Sequence, residues 1–279
     1  MAETVRVGLV QQRCGSNPQL NLTRALEAMD RAADAGVNLI AFAELALTKF
    51  FPQHPRSPEA DQVAEPIPGA TANAIAAKSR EHALVTVFNM YERDVESGKC
   101  YDSSPVFDAD GALLGVTRMV HITDYACFHE KAYYAPGDNG APVYETAVGR
   151  LGVAICYDRH YPEYMRALGV AGAQLVVIPQ AGAVDEWPEG LYEAEVRTAA
   201  FQNGYFTALC NRVGEEDRLT FAGESFVVNP RGTVVARARK LDEDLLITDI
   251  DLSECETSQA RTLFWRDRRP DLYAGWLEA

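Results

Sequence analysis

Apolar residues run along this chain in short blocks, and several blocks are followed by a stretch with helical spacing. Val5 to Gln11 reads as a strand. Asn21 to Ala35 repeats apolar side chains every three or four positions and ends at Gly36, which predicts a helix closed by a glycine cap. Val37 to Ala43 is a second apolar run and predicts another strand. The alanine-rich stretch from Pro68 to His82 predicts a helix leading into a strand over Ala83 to Asn89. Two segments predict hairpins, VFDADGALLG at 106–115 and FVVNPRGTVVARA at 226–238, because each sets turn residues between alternating apolar positions.

The pattern also repeats itself. VGLVQQ, a helix and DAGVNLIAFAE echo LGVAICYD, a helix and VAGAQLVVIPQ. Two related β-α-β halves predict an α/β fold with two sheets face to face and helices outside. No low-complexity linker divides the chain, so one domain over residues 1–279 is expected. In layered sheets of this kind strand ends from distant parts of the chain meet at one cleft. Glu44 and Cys156 both fall at strand ends and are candidates to meet there.

Charge and cysteine usage narrow the function classes. Lys and Arg number 26 against 40 Asp and Glu, a net charge of −14. Such a surface repels phosphate backbones and anionic membranes, which argues against nucleic-acid and membrane partners. The six cysteines are scattered without a CxxC pair, so they read as reduced thiols and give no support to a structural zinc site. The N-terminal MAETVRVGLVQQ lacks the basic and long apolar regions of a signal peptide, and no apolar stretch reaches the roughly 18 residues of a membrane span. A soluble cytoplasmic protein is expected.

Three residues carry candidate chemistry. Cys156 ends the apolar run of GRLGVAICYDRHYPE and precedes Pro162, which can open a helix. A thiol on a strand-to-helix turn suits acyl transfer, and a small buried core cysteine is the alternative. Glu44 is the only charge between Asp34 and Lys49. It is either a solvated strand end or a buried carboxyl whose raised pKa makes it a usable base. Glu130 lies among aromatics in YACFHEKAYYAPGD, as a pocket-wall residue or a surface partner of Lys131.

Taken together, FAELAL, FHEKAYYAPGD and GVAICYDRHYPE, in that order, resemble the nitrilase superfamily of carbon–nitrogen hydrolases. Later segments, EAEVRTAAFQNGYFTALCNRVG, FAGESFVVNPRGTVVA and WRDRRPDLY, fit as well. The pattern looks closest to the amidase branches that cleave N-carbamoyl compounds, such as the β-ureidopropionases and N-carbamoylputrescine amidases. The resemblance implies a four-layer α-β-β-α sandwich and a site in which Cys156 is the nucleophile, Glu44 the base and Glu130 the second glutamate. It implies no metal or organic cofactor. It also implies a homodimer or larger homo-oligomer, with the C-terminal segment 259–279 a candidate for the subunit interface.

One position departs from the family pattern. The family's catalytic lysine falls on Met119, in TRMVHI, and methionine stabilises no developing charge. Losing one such donor typically costs about 10²–10³ in rate, against whole enhancements of roughly 10⁶–10¹⁷. A weakly active or non-catalytic member is therefore an alternative, and Arg118, His121 and Lys49 are candidates to bring a cation into the gap. Tyr157, Arg159 and His160 directly follow the nucleophile and are candidate substrate contacts. Arg159 offers a guanidinium fork for a carboxylate and so points to N-carbamoyl amino acids, or else it pairs with Asp158 or Glu163. Arg197 is a second candidate carboxylate ligand, or else an i,i+4 partner of Glu193. Two further readings stay open, a nitrile hydrolase with the same site and a thiol redox sensor using Cys156 with Cys127.

Overall fold

The computed structural model describes residues 4–277. The first half of the chain runs β1 (Thr4–Gln11), α1 (Pro18–Asp34), β2 (Leu39–Phe42), α2 (Ala70–His82), β3 (Val85–Val87), β4 (Met90–Arg93), β5 (Cys100–Phe107) and β6 (Leu113–Arg118). The second runs β7 (Val143–Thr146), β8 (Gly149–Val153), α3 (Pro162–Val170), β9 (Leu175–Gln180), α4 (Leu191–Asn203) and β10 (Phe206–Asn211). Then come β11 (Val213–Glu215), β12 (Thr220–Ala222), β13 (Phe226–Val228), β14 (Val234–Arg237), β15 (Asp244–Asp251), α5 (Glu254–Thr257) and α6 (Pro270–Leu277).

Seven strands form one sheet in the order β15-β1-β2-β3-β5-β4, with β6 also against β5. Six form the other, β14-β13-β10-β9-β8-β7. The predicted repeat is visible here. β1 and β2 are parallel across α1, and β8 and β9 are parallel across α3.

The layers follow from which side chains each strand turns inward. Val7, Leu9, Leu39 and Ala41 meet Leu151, Val153, Val177 and Phe206 between the sheets. The alternate residues Ile40 and Phe42 face outward under Ala25, Met29 and Ile75 of α1 and α2. On the far side Val176 and Ile178 lie under Tyr164, Leu168 and Ala200 of α3 and α4. Both faces of the central strands are buried, which is why their sequences read as unbroken apolar runs. The result is the expected four-layer α-β-β-α sandwich.

Element ends are set by local chemistry. α1 starts at Pro18 rather than Asn21 because Asn17 Oδ1 accepts the Gln19 and Leu20 N–H groups, at 3.0 and 3.2 Å. β3 is shorter than the expected 83–89 because Ala83 is the left-handed cap of α2 (φ 52°) and Asn89 turns its side chain into the interior. The C-terminal segment lies along α3 and α4, with Trp265 under the guanidinium of Arg166 and its indole N–H donating to Gln202 O at 3.3 Å.

Candidate active site

Glu44 follows β2 directly, and its backbone is held from two sides. Arg212 Nη1 donates to the carbonyls of Glu44 and Leu45 at 2.9 and 2.6 Å. Asn89 Oδ1 accepts the Leu45 N–H at 2.6 Å, and Leu45 takes a left-handed φ of 47°. These ties turn the Glu44 side chain into the space between the sheets, where it has no exposure. The solvated reading is therefore excluded.

Cys156 lies just beyond β8 and opens a single 3₁₀ turn, Cys156–His160, that leads into Pro162 and α3. Its φ is +41°, a left-handed conformation that costs a non-glycine residue roughly 1–2 kcal/mol. Strain of this kind persists only where surrounding bonds impose it. Here the buried Asp158 carboxylate does so. It accepts from the N–H groups of Ile155, Val120 and His121 at 3.3, 3.2 and 3.0 Å, and from His121 Nδ1 at 2.7 Å. Asp158 thus ties the nucleophile turn to the segment containing Met119. Arg159 Nη1 adds a bond to Cys156 O at 2.9 Å and one to Gln180 Oε1 at 3.0 Å.

Glu44, Glu130 and Cys156 converge with a fourth group, Asp102 of β5. Glu130 opens a short 3₁₀ turn after β6 and is fully buried, while Lys131 is exposed, so the expected surface pair does not form. Both oxygens of Glu44, both of Glu130 and Oδ2 of Asp102 are buried without an N–H or hydroxyl donor. The Cys156 thiol and the Asp102 carboxyl are neighbours of the Glu44 carboxyl, and neither donates a hydrogen bond to its oxygens. Burial, then the charges of Asp102 and Glu130, hold the Glu44 carboxyl well above the usual range. Burial, then the charges of Glu44 and Glu130, push the Cys156 thiol up, with Arg159 opposing. Asp102 is pushed up by burial to about 6, with Asn89 Nδ2 donating to its Oδ1 at 2.6 Å against the trend.

Met119 is fully buried in the same apolar cluster as Cys156 and Ala43. Neither Arg118, His121 nor Lys49 replaces the missing charge. Arg118 makes two bonds to Glu92, at 2.9 and 2.6 Å. His121 is held by Asp158 and stacks on Tyr161, and Lys49 reaches Asp217 at 2.6 Å near the surface. Among the described residues, the one set of side chains spaced to hold a metal is Asp30, Glu81 and His82, where Lys78 Nζ already sits 2.6 Å from Asp30.

A family model for carbon-nitrogen hydrolases matches residues 6–260. The chain belongs to the carbon–nitrogen hydrolase family. It is an enzyme of that class. It is 31% identical to the N-carbamoylputrescine amidase of Solanum lycopersicum over 96% of this chain and 93% of that protein. The structure of a carbon–nitrogen hydrolase from Helicobacter pylori G27 superposes with a TM-score of 0.91 at 29% identity, covering 98% of each chain. An amidase from Nesterenkonia sp. AN1, with the acetamide moiety of fluoroacetamide added covalently at its active-site cysteine, gives a TM-score of 0.81 at 26% identity over 98% of this chain and 96% of that one.

The remaining candidates of this hydrolase separate. Arg159 is buried beside the nucleophile turn. Its ion pair is with Glu195, Nε to Oε2 at 3.3 Å, rather than with Asp158 or Glu163, and its Nη2 has no acceptor. The guanidinium lies over the Tyr192 ring. His160 is bound to the same Glu195 at 2.6 Å and packs against Tyr157 and Trp187. Arg197 is half-exposed on α4, with Glu193 and the Gly232 carbonyl as partners at 3.1 and 2.8 Å, neither of them a site residue. Cys127 is half-buried and all six cysteines are free. A redox sensor needs a stabilised thiolate, and the environment of Cys156 disfavours one.

Asp102, Asn89, Tyr134 and Arg212 are site residues that sequence reasoning missed. The available signal was a lone Asp in the otherwise uncharged strand CYDSSPVF.

Proposed function

We propose that this hydrolase cleaves small amides or N-carbamoyl compounds through a covalent acyl-enzyme on Cys156. The observation that carries the reading is the thiol on a strained turn, neighbour to the buried Glu44 carboxyl and closed off from bulk water. Glu44 takes the thiol proton as sulfur attacks the carbonyl carbon. It returns that proton to the leaving nitrogen, then removes one from the water that releases the acid. Glu130 orients the base and the water. A glutamate-to-glutamine variant of the Nesterenkonia amidase, carrying an acetamide group on its own active-site cysteine, supports a nucleophilic cysteine at this place in the fold.

Within the substrate class, N-carbamoyl amino acids are the preferred reading. The amidase named for N-carbamoylputrescine supports the carbamoyl group. The unpartnered Arg159 Nη2 supports a carboxylate or carbonyl contact, with Tyr157 and His160 shaping the wall. The test is ammonia release from N-carbamoyl-β-alanine, N-carbamoyl-α-amino acids, N-carbamoylputrescine, ω-amides and nitriles, with wild type and Cys156→Ala side by side. Turnover that disappears in Cys156→Ala supports the reading; turnover that survives it removes Cys156 from the mechanism.

Met119 favours a second reading, a weakly active or silent member. Silence from the folded wild type, with activity restored in Met119→Lys, would establish it. The reading extends to association between copies through segment 259–279. Trp276 is 65% exposed there, beside a groove of about 1100 Å³ between α3, α4 and α6. A solution mass that falls to the monomer's in Trp276→Ser supports this, and a wild-type monomer refutes it.

A further inference from the structure

Asp102 sits in β5 with no exposure, and one residue sets its distance from the base. Asn89 donates to Asp102 Oδ1 with its amide nitrogen and accepts the Leu45 N–H with its amide oxygen, both at 2.6 Å. The free oxygen of Asp102, Oδ2, has no N–H or hydroxyl donor, and its carboxyl neighbours that of Glu44, whose two oxygens are also unpartnered. Two carboxyls so close in a dry site hold one proton between them rather than ionise together. Met119 supplies no charge that would let both give up their protons.

We infer that Asp102 is the proton acceptor behind Glu44: the pair carries one proton, and Glu44 passes it to Asp102 as it takes the proton of Cys156. The S–H bond of Cys156 breaks and an O–H bond forms at one Glu44 oxygen. The O–H bond at the other Glu44 oxygen breaks and one forms at Asp102 Oδ2. The single negative charge of the pair moves to sulfur, and the chamber's total charge is unchanged. Asp102 touches neither substrate nor sulfur, so it is a positioning residue. The inference rests on Cys156 being the nucleophile.

The electrostatics agree with this order of ionisation. Burial pushes Asp102 up to about 6 and holds Glu44 well above the usual carboxylate range, so the pair gives up its first proton near pH 6. The other groups facing Asp102 are Glu130 and Tyr134 from the segment after β6, and Asp158 from the nucleophile turn. Burial keeps the Tyr134 hydroxyl protonated, and Asp158 is occupied by His121 and backbone N–H groups. Arg118, on the neighbouring β6, is bound to Glu92.

The test is the rate of Cys156 alkylation by iodoacetamide against pH, read by peptide mass, in wild type and in the isosteric Asp102→Asn. The wild-type rate is expected to rise through an acidic limb near pH 6. In Asp102→Asn the limb is expected to move up by about a unit, lowering the rate at pH 6.5 by roughly tenfold, because a neutral amide cannot share the negative charge with Glu44. A limb that stays in place or moves down overturns the inference. Infrared titration of the Cys156→Ala protein provides a second measurement if the Asn variant does not fold. One carboxylic acid should ionise near pH 6, and the added Glu44→Gln change should move that step. A step that is missing, or unmoved, overturns the inference as well. Alkylation needs no substrate. A shifted limb without any ammonia release would sink the hydrolytic reading alone, and ammonia release with an unmoved limb would sink the relay alone.

Discussion

Two groups of ionisable residues lie sealed inside this molecule, and they differ in how their charges are met. Arg212 and Glu216 are 1% and 4% exposed at their side chains, and nearly every polar atom is engaged. Arg212 spends its Nη groups on the carbonyls of Glu44, Leu45 and Thr48 and on Glu216, leaving only Nε without an acceptor. Glu216 also takes the Phe50 N–H at 2.8 Å and Gln53 Nε2 at 3.1 Å. By contrast, both carboxyl oxygens of Glu44, both of Glu130 and one of Asp102 are buried with no donor among the described residues. A buried carboxyl left unmatched costs several kcal/mol, so it marks a place where stability yields to chemistry. The paired group is architecture that aims the unpaired one.

The sharpest way to break this contrast is to remove the reacting groups. Cys156→Ala and Glu44→Gln should each lower ammonia release by on the order of 10⁴-fold or more, and the double variant should fall little further, because the two act as a unit. Steady-state rates on the best panel substrate check it. The next largest effect is on stability and has the opposite character. Arg212→Met leaves Glu216 buried without its partner and should destabilise by about 3–5 kcal/mol. Glu130→Gln should unfold at pH 8 no earlier than wild type. Urea unfolding of both variants decides whether the two groups differ as described.

A third prediction concerns pH. The folded-state pKa of Asp102 is raised from 3.8 to about 6. The group is neutral in both states below the ordinary value, so its contribution to stability is complete there. It is lost as pH rises through the folded value, a change of about 3 kcal/mol at 1.36 kcal/mol per unit. Wild type should therefore weaken between pH 4 and 6 relative to Asp102→Asn, and the difference should level off above 6. The smallest effect is expected at Arg197→Ala. Its surface partners predict a change within about 0.5 kcal/mol and an unaltered KM. A large rise in KM would return Arg197 to the substrate.

Much of this was legible in the sequence wherever a pattern is local. The two β-α-β units and both hairpins announce themselves through periodicity and turn residues, and Glu44, Glu130 and Cys156 stand at recognisable places in them. Asp102 did not stand out because β5 is buried on both faces, so polar Asp102, Ser103 and Ser104 sit inside without an alternating pattern to mark them. Arg212 was invisible for a different reason. Its partners at Glu44 and Leu45 lie over 160 residues away, and only the folded chain joins them. Arg159 follows the nucleophile in sequence, but its ion pair crosses to Glu195 on α4, beyond any spacing rule.

Asp158 grips the segment that follows β6 and carries Met119 by the main-chain N–H groups of Val120 and His121 and by the His121 ring, not by the side chain of Met119. The placement of that segment against the nucleophile turn is therefore independent of what residue 119 is. The fold works here as a socket, with position 119 an interchangeable insert: one side chain can be swapped to retune the charge of the chamber while the surrounding framework keeps its shape.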